Sequence, residues 1–240
     1  MSESDGWAES AQAWVGEIGA RGDFAREYVL DAPMLARVDA SRFTDALDVG
    51  CGEGRFSRML AARGISTIGI DPTGALLTEA RKRHPAGDYR PGRAEALEFP
   101  DASFDLVVSY LTLIDIPDIT SAIPEMARVL RPGGSLLIAN LNSFITAAPP
   151  PGWTRRRADG TKRFYIDNYL EERPDWVAWR KMRIQNWHRP LSVYMALLLG
   201  QGLVLRHFDE PAAVGVDPDR AAEYRRVPFF LVMEWQKPPR

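Results

Sequence analysis

Apolar and polar positions follow two alternating regimes along this chain. Short strand-like runs, most of them apolar, fall near residues 44–49, 65–70, 87–90, 104–109 and 134–140. Between them, near 54–63, 73–84 and 118–131, apolar residues recur every three to four positions. The runs read as strands and the periodic stretches as helices, and their alternation predicts an α/β sheet with helices on both faces. Ahead of this core, Trp7 to Ala20 and Phe24 to Val38 read as two helices. Beyond it come a helix over 190–200 and two last strands, Leu203 to Phe208 and Phe229 to Trp235, separated by a turn and a short helix around Asp219 to Arg225. Right-handed crossovers bring the turn after the first strand, Asp71 and the Ser109-Tyr110 turn to one carboxyl edge of the sheet, where such folds bind ligands.

The chemistry is concentrated in the first of those turns. Ala46-Leu47-Asp48-Val49-Gly50-Cys51-Gly52-Glu53-Gly54-Arg55-Phe56 runs from strand through a glycine-rich turn into a helix carrying Phe56, Met59 and Leu60 on one face. Glycines at alternate positions permit positive φ and let a ligand approach the main chain. The spacing is not the G-x-G-x-x-G that seats a pyrophosphate on a helix N-terminus. Asp48 would also repel a pyrophosphate while orienting an ammonium, so the ligand expected is zwitterionic or cationic rather than a dinucleotide. Asp71 closes the second strand about 20 residues on, the place from which a carboxylate reaches ribose hydroxyls. It would serve equally as a cap for the helix over 72–84, with Pro72 favourable at the first helical position.

At these residues the chain resembles the class I S-adenosylmethionine-dependent methyltransferases, most closely the type 11 group, over roughly Phe43 to Asn140. Leu47 to Gly54 is similar to the family's first motif and Asp71 to its ribose-binding acid. Arg93-Ala94-Glu95-Ala96-Leu97-Glu98-Phe99-Pro100-Asp101-Ala102-Ser103-Phe104-Asp105 resembles the segment that covers the adenine, and Arg131-Pro132-Gly133-Gly134 the turn before the fifth strand. The resemblance implies a Rossmann-like sheet of order 3-2-1-4-5-7-6 with an antiparallel seventh strand. It implies S-adenosyl-L-methionine as cofactor, held by Asp48, Gly50, Cys51, Gly52, Asp71, Pro72, Arg93, Ala94, Glu95, Ser109 and Tyr28. Where the family often carries an Asp for the adenine amino group this chain has Arg93, so Glu95 or a backbone amide near Ala94 is left as a substitute. Trp14, Phe24, Tyr28 and Leu35 are candidates to cover the amino-acid end of the cofactor, and Arg26 and Tyr28 to meet its carboxylate; a packed helix face is the alternative.

Composition narrows the class without deciding it. With 240 residues, 45% hydrophobic and 26% charged, the chain suits one soluble domain. The expected organisation is a helical cap over 1–40, a cofactor core over 41–148, an insertion over 149–189 and the rest of the sheet over 190–240. A net charge of -2 gives no prior for nucleic acid, and the single cysteine excludes a disulfide framework or a cysteine-rich metal site. No metal is expected. The first residues lack a basic segment followed by an apolar one, and the longest apolar run, Met195 to Leu199, cannot span a bilayer. The expectation is a cytoplasmic protein, monomer or homodimer, away from membranes.

Pro149-Pro150-Pro151-Gly152 opens the insertion. It interleaves Trp153, Phe164, Tyr165, Tyr169, Trp176, Trp179 and Trp187 with Arg155, Arg156, Arg157, Lys162 and Arg163. Arg163 to Tyr169 and Val177 to Asn186 are expected to pair as an antiparallel flap over the pocket, a substrate lid by the resemblance. Aromatics among basic residues also describe a single-strand nucleic-acid surface, but Asp159, Asp167, Glu171, Glu172 and Asp175 dilute it. Trp187-His188-Arg189-Pro190 closes the insertion.

His188 is the candidate general base, since an imidazole titrates near neutrality; a hydrogen bond that fixes the flap is the equal alternative. Tyr110 is a candidate for contact with substrate or with the methyl-sulfonium region. His84 and His207 read as structural. No Asn/Asp-Pro-Pro-Tyr tetrad follows the fourth strand and no cysteine pair is present, which argues against base methylation in DNA. What remains is methyl transfer to a small organic acceptor. Two other classes stay open. A non-catalytic cofactor-binding or scaffold protein would lose the substrate pocket, and a nicotinamide-dependent oxidoreductase would require pyrophosphate spacing.

Overall fold

The computed structural model describes residues 5–19, 21–148, 153–155 and 160–239. The proline-glycine break at 149–152, Arg156, Arg157, Asp159 and the predicted helix end at Ala20 lie outside the described residues. Five parallel strands carry the sheet: β1 (Asp45–Val49), β2 (Ser66–Asp71), β3 (Asp88–Pro91), β4 (Phe104–Tyr110) and β5 (Leu130–Leu141). Two more, β10 (Val204–Asp209) and β11 (Phe230–Gln236), complete the order β3-β2-β1-β4-β5-β11-β10, with β11 antiparallel to both neighbours. The order implied by the resemblance is the order observed. β5 begins earlier than the apolar run because the Arg131 to Gly134 turn joins it, with a register shift against β4.

Successive residues of these strands supply opposite faces, as the pleat requires. Leu47, Val49, Val107, Leu136, Ile138 and Met233 pack under α5 (Ile119–Val129) and α7 (Leu191–Gly200). Ala46, Leu106, Val108, Leu137 and Val232 pack under α2 (Asp31–Asp39) and α3 (Arg55–Ala61). Asp118 caps α5 by accepting from the Ser121 amide at 3.0 Å. α7 is apolar nearly all round; Leu191, Tyr194, Met195 and Leu198 meet α5 and the sheet, while Leu199 stays exposed. Among the described residues no helix is long and apolar enough to cross a membrane.

The amino-terminal region departs from two simple helices. α1 (Trp7–Ile18) docks Ala11, Trp14 and Ile18 against Leu76 of α4 (Gly74–Arg83) and Met182. The second element opens as a π-helical turn, Arg26–Leu30, before α2. Phe24, before the wide turn, and Leu35, after it, both face the α2–α3 core. Tyr28 packs on Phe24, with ring centroids 5.2 Å apart, and its carbonyl accepts from Val214 N at 2.9 Å.

The insertion is two hairpins rather than one flap. β6 (Trp153–Arg155) pairs β7 (Lys162–Phe164), while β8 (Arg173–Trp179) pairs β9 (Met182–His188). The expected pairing of Arg163–Tyr169 with Val177–Asn186 is therefore incorrect, because Val177 to Asn186 contains its own turn, with Arg180 at φ 53°. β6–β7 leans on α8 (Pro218–Arg226), where Arg226 donates to the Lys162 carbonyl at 2.8 Å.

Candidate active site

β1 and β4 are neighbours in the sheet although their connections leave in opposite directions, and a cavity opens where their carboxyl ends diverge. The glycine turn forms its floor. Gly50 and Cys51 both donate to the Ile70 carbonyl, at 2.8 and 2.9 Å, which ties the turn to β2. Gly50, Gly52 and Gly54 have φ of 71°, 56° and 75°, each for its own reason. A Cβ at Gly50 would strike the Thr112 side chain, and one at Gly54 would meet the Tyr89 ring at 2.5 Å. At Gly52 a Cβ would meet nothing within 4 Å. Gly52 is thus the glycine whose open side is the cavity.

Two buried carboxyls flank that opening. Asp48 accepts from Ser57 Oγ at 2.6 Å, and burial pushes it up to about 6, aided by the charges of Glu53 and Asp71. Asp71 accepts from Gly52 N at 2.9 Å and from Thr73 N at 2.8 Å; burial raises it against those two bonds. Thr73, not Asp71, is the N-cap of α4, so Asp71 braces the turn and the helix entrance together. A cation in the cavity would favour the ionised form of both acids. Cys51 lines the same floor, where burial and the charges of Asp48, Asp71 and Glu53 push its thiol up, away from nucleophilic use.

Pro72, Arg93, Ala94 and Glu95 form the wall on the β2–β3 side. Arg93 is engaged by Glu95 at 2.9 Å. On the β4 side Tyr110 contributes its ring, edge-on to Phe56 at 4.9 Å, while its hydroxyl donates to Asp31 Oδ1 at 2.8 Å. Asp31 also binds the Arg55 guanidinium. Burial and Asp31 hold the phenol well above its usual range, so Tyr110 is a wall whose hydroxyl is committed elsewhere. Trp14 and Arg26 roof the cavity, with the guanidinium 4.7 Å above the indole.

Three expected site residues lie elsewhere. Tyr28 is absent from the cavity lining, because the π-helical turn aims it at Phe24. Ser109 points into the sheet, fully buried, and its hydroxyl meets no partner among the described residues. The strand alternates, so Ser109 and Tyr110 cannot both face the site. His188 is 1% exposed and is not part of the lining. Its Nε2 donates to the Tyr169 carbonyl at 2.9 Å and its Nδ1 accepts from Thr146 Oγ1 at 2.7 Å, leaving neither nitrogen for a substrate.

That arrangement is the structural alternative for His188. Burial lowers its pKa, so the neutral ring is the folded form. Its contribution to stability is complete above the ordinary imidazole range and declines as the pH falls through it. His188→Ala is expected to lower stability by about 1–3 kcal/mol, the cost of leaving buried partners unpaired, while cofactor affinity stays within about threefold. A denaturant midpoint and a binding titration check both halves. An affinity loss matching the stability loss would return His188 to the site.

Sequence reasoning missed Asp5, Trp7, Thr112 and Asp115, all of which line the cavity. Asp115 carried a usable signal: a carboxylate inside the otherwise apolar run from Leu113 to Pro117. Asp5 and Trp7 carried none, since only the docking of α1 brings them there.

A family model described as a methyltransferase domain matches residues 47–138, the stretch that builds the floor and both walls. This segment is a class I S-adenosylmethionine-dependent methyltransferase domain of the type 11 group. The chain is 41% identical over 97 residues to a malonyl-[acyl-carrier protein] O-methyltransferase of Erwinia billingiae, covering 40% of this chain and 39% of that protein. It is 38% identical over 105 residues to a probable S-adenosylmethionine-dependent methyltransferase of Mycolicibacterium smegmatis, covering 44% and 40%. The chain thus spans about two fifths of the length of the curated relatives it matches. A solved S-adenosylmethionine-dependent methyltransferase from Mesorhizobium loti superposes with a TM-score of 0.71 at 25% identity, over 97% of this chain and 98% of that one. The methyltransferase domain takes S-adenosyl-L-methionine as its cofactor, and the open side of Gly52 between two carboxyls fits that cationic group.

Proposed function

We propose that this protein transfers a methyl group from S-adenosylmethionine to a small organic acceptor, working as a single methyltransferase domain. The observation that carries the proposal is the unobstructed backbone at Gly52, set between Asp48 and Asp71 where β1 and β4 diverge. In this reading Asp71 takes the ribose hydroxyls, Asp48 faces the ammonium, and Ala94 with Glu95 borders the adenine. When bound, the cofactor supplies an activated methyl on a sulfonium. The chain's own task is then to exclude water and align an acceptor. Positioning of that kind is worth ~7–11 kcal/mol of barrier, so the aromatic roof of Trp7 and Trp14 matters as much as any base. The relatives' acyl-carrier acceptor is not carried over, because the likeness to them ends at about two fifths of their length.

Calorimetric titration with S-adenosylmethionine, and with NADH in parallel, tests the reading. Saturable binding of the first alone is expected, followed by release of S-adenosylhomocysteine when acceptors are screened. Binding of NADH alone would overturn it. Asp71→Ala is expected to weaken S-adenosylmethionine about 10- to 100-fold, the worth of a charged hydrogen-bonding group. An unchanged dissociation constant would remove Asp71 from the ribose.

A further inference from the structure

Resting on that reading, we propose that Asp115 is the catalytic base of the methyl transfer and that Asn186 is its positioning residue. The cavity has two sides. Asp71, Pro72 and Glu95 stand at the ends of β2 and β3, and Tyr110, Thr112, Asp115 and Ile116 follow β4, with β1 between. The nucleoside end of the cofactor belongs to the first side, so the acceptor approaches from the second. Asp115 is the carboxylate that the β4 side presents to the cavity.

Its surroundings suit a proton acceptor. Asp48 is braced by a hydroxyl, Asp71 by two backbone amides, and Glu95 by a guanidinium. Asp115 is met instead by neutral side chains of two separate elements, the Asn186 amide of β9 and the Trp7 indole of α1. Among the described residues it forms no salt bridge. Asp5 from the amino-terminal segment and Arg26 from the π-helical turn act on it with opposite signs, and Asp48 and Asp71 line the same cavity. Burial dominates these influences and holds the carboxyl well above its ordinary range, in the direction of a stronger base.

The loop that carries Asp115 is fixed from the same strand and the residue just past it. Trp187 N donates to the Ile114 carbonyl at 2.6 Å, and the Arg189 guanidinium donates to the carbonyls of Leu113, Ile116 and Pro117. Asn186 therefore meets Asp115 at a set place rather than across a free loop. In the reaction the acceptor's bond to hydrogen breaks with its electron pair left on the nucleophile. That pair forms the new bond to the methyl carbon, the pair of the broken carbon–sulfur bond stays on sulfur, and the proton passes to the Asp115 carboxylate and on to solvent.

Two readouts test the proposal on the full chain. The first is release of S-adenosylhomocysteine with a panel of phenols, primary amines and carboxylic acids, beside calorimetry with S-adenosylmethionine. Asp115→Asn should lower turnover about 100-fold or more with cofactor affinity within about threefold. The second needs no acceptor: titration of the Asp115 carboxyl by carbon-13 NMR in protein saturated with S-adenosylhomocysteine. The wild-type carboxyl should titrate above the ordinary aspartate range, and Asn186→Ala should move it, and the acid limb of the pH–rate profile, upward together, since the lost donor favoured the ionised form. Turnover retained within threefold in Asp115→Asn overturns the assignment. So does a proportional loss of cofactor affinity, which would make Asp115 a cofactor contact, or an ordinary titration indifferent to Asn186. Failure of the wild type to bind S-adenosylmethionine sinks the methyltransferase reading itself, a result separate from any of these.

Discussion

Arg189→Ala is expected to melt about 10 °C or more below the wild type. The side chain is 2% exposed and its guanidinium serves three carbonyls, Leu113 at 3.2 Å, Ile116 at 2.8 Å and Pro117 at 2.8 Å. It also lies 4.7 Å over the Trp187 ring and 3.5 Å from Glu172. Truncation leaves those acceptors without a donor and opens a void beneath them. Each buried acceptor left without its donor costs about 1–3 kcal/mol, and a chain of this size loses roughly 2–4 °C per kcal/mol. Arg189→Lys should recover only part of the loss, since a point-like ammonium cannot span three carbonyls as a planar fork does. Thermal melting of both variants decides it. An alanine variant within 3 °C of the wild type would mean that water replaces the guanidinium.

The glycine turn supplies the second large effect, through a contrast between adjacent motif positions. Gly50→Ala places a methyl group inside the Thr112 side chain at a φ of 71°. Strain from the left-handed backbone is ~1–2 kcal/mol and overpacking adds roughly 1–3 kcal/mol. The variant should lose both stability and S-adenosylmethionine binding. Gly52→Ala carries only the first cost, because its methyl enters open space at a φ of 56°. That open space is the cavity, so Gly52→Ala should fold nearly as well as the wild type while binding the cofactor at least tenfold more weakly. Melting and calorimetry on the two variants separate the effects. If Gly52→Ala binds normally, the cofactor does not cross the glycine turn.

Sequence made the sheet legible because its central strands β4 and β5 are buried on both faces and read as apolar runs, and each of the five lies within a residue or two of its expected place at most ends, the exposed edge strand β3 included. The cavity floor was legible for a local reason: the three glycines act through their own backbone, Asp71 through the amides of Gly52 and Thr73, and Asp48 through Ser57 nine residues on. Asp115, Asp5 and Trp7 act across the fold, and nothing near them in the chain announces their neighbours. The hairpin error has the same origin. Alternation marks Arg163–Tyr169 and Val177–Asn186 as extended, yet the turn at Arg180 belongs to a residue type with no turn preference. His188 was found as important and given the wrong task, because its role depends on Thr146 and the Tyr169 carbonyl, which the fold brings to it.

β9 has a consequence for how such a protein can diversify. Its residues bind α1 through Arg183 and Ser10, the amino-terminal segment through Gln185 and the Asp5 carbonyl, and the β4 loop through Asn186 and Trp187, with Arg189 just past its end binding the same loop. The β8–β9 hairpin is therefore not an interchangeable cassette on a fixed core. A chimera that imports a foreign hairpin at β8–β9 would have to import the matching first turn of α1 and the 111–117 loop with it. A change in any one of these three segments is therefore expected to need compensating changes in the other two.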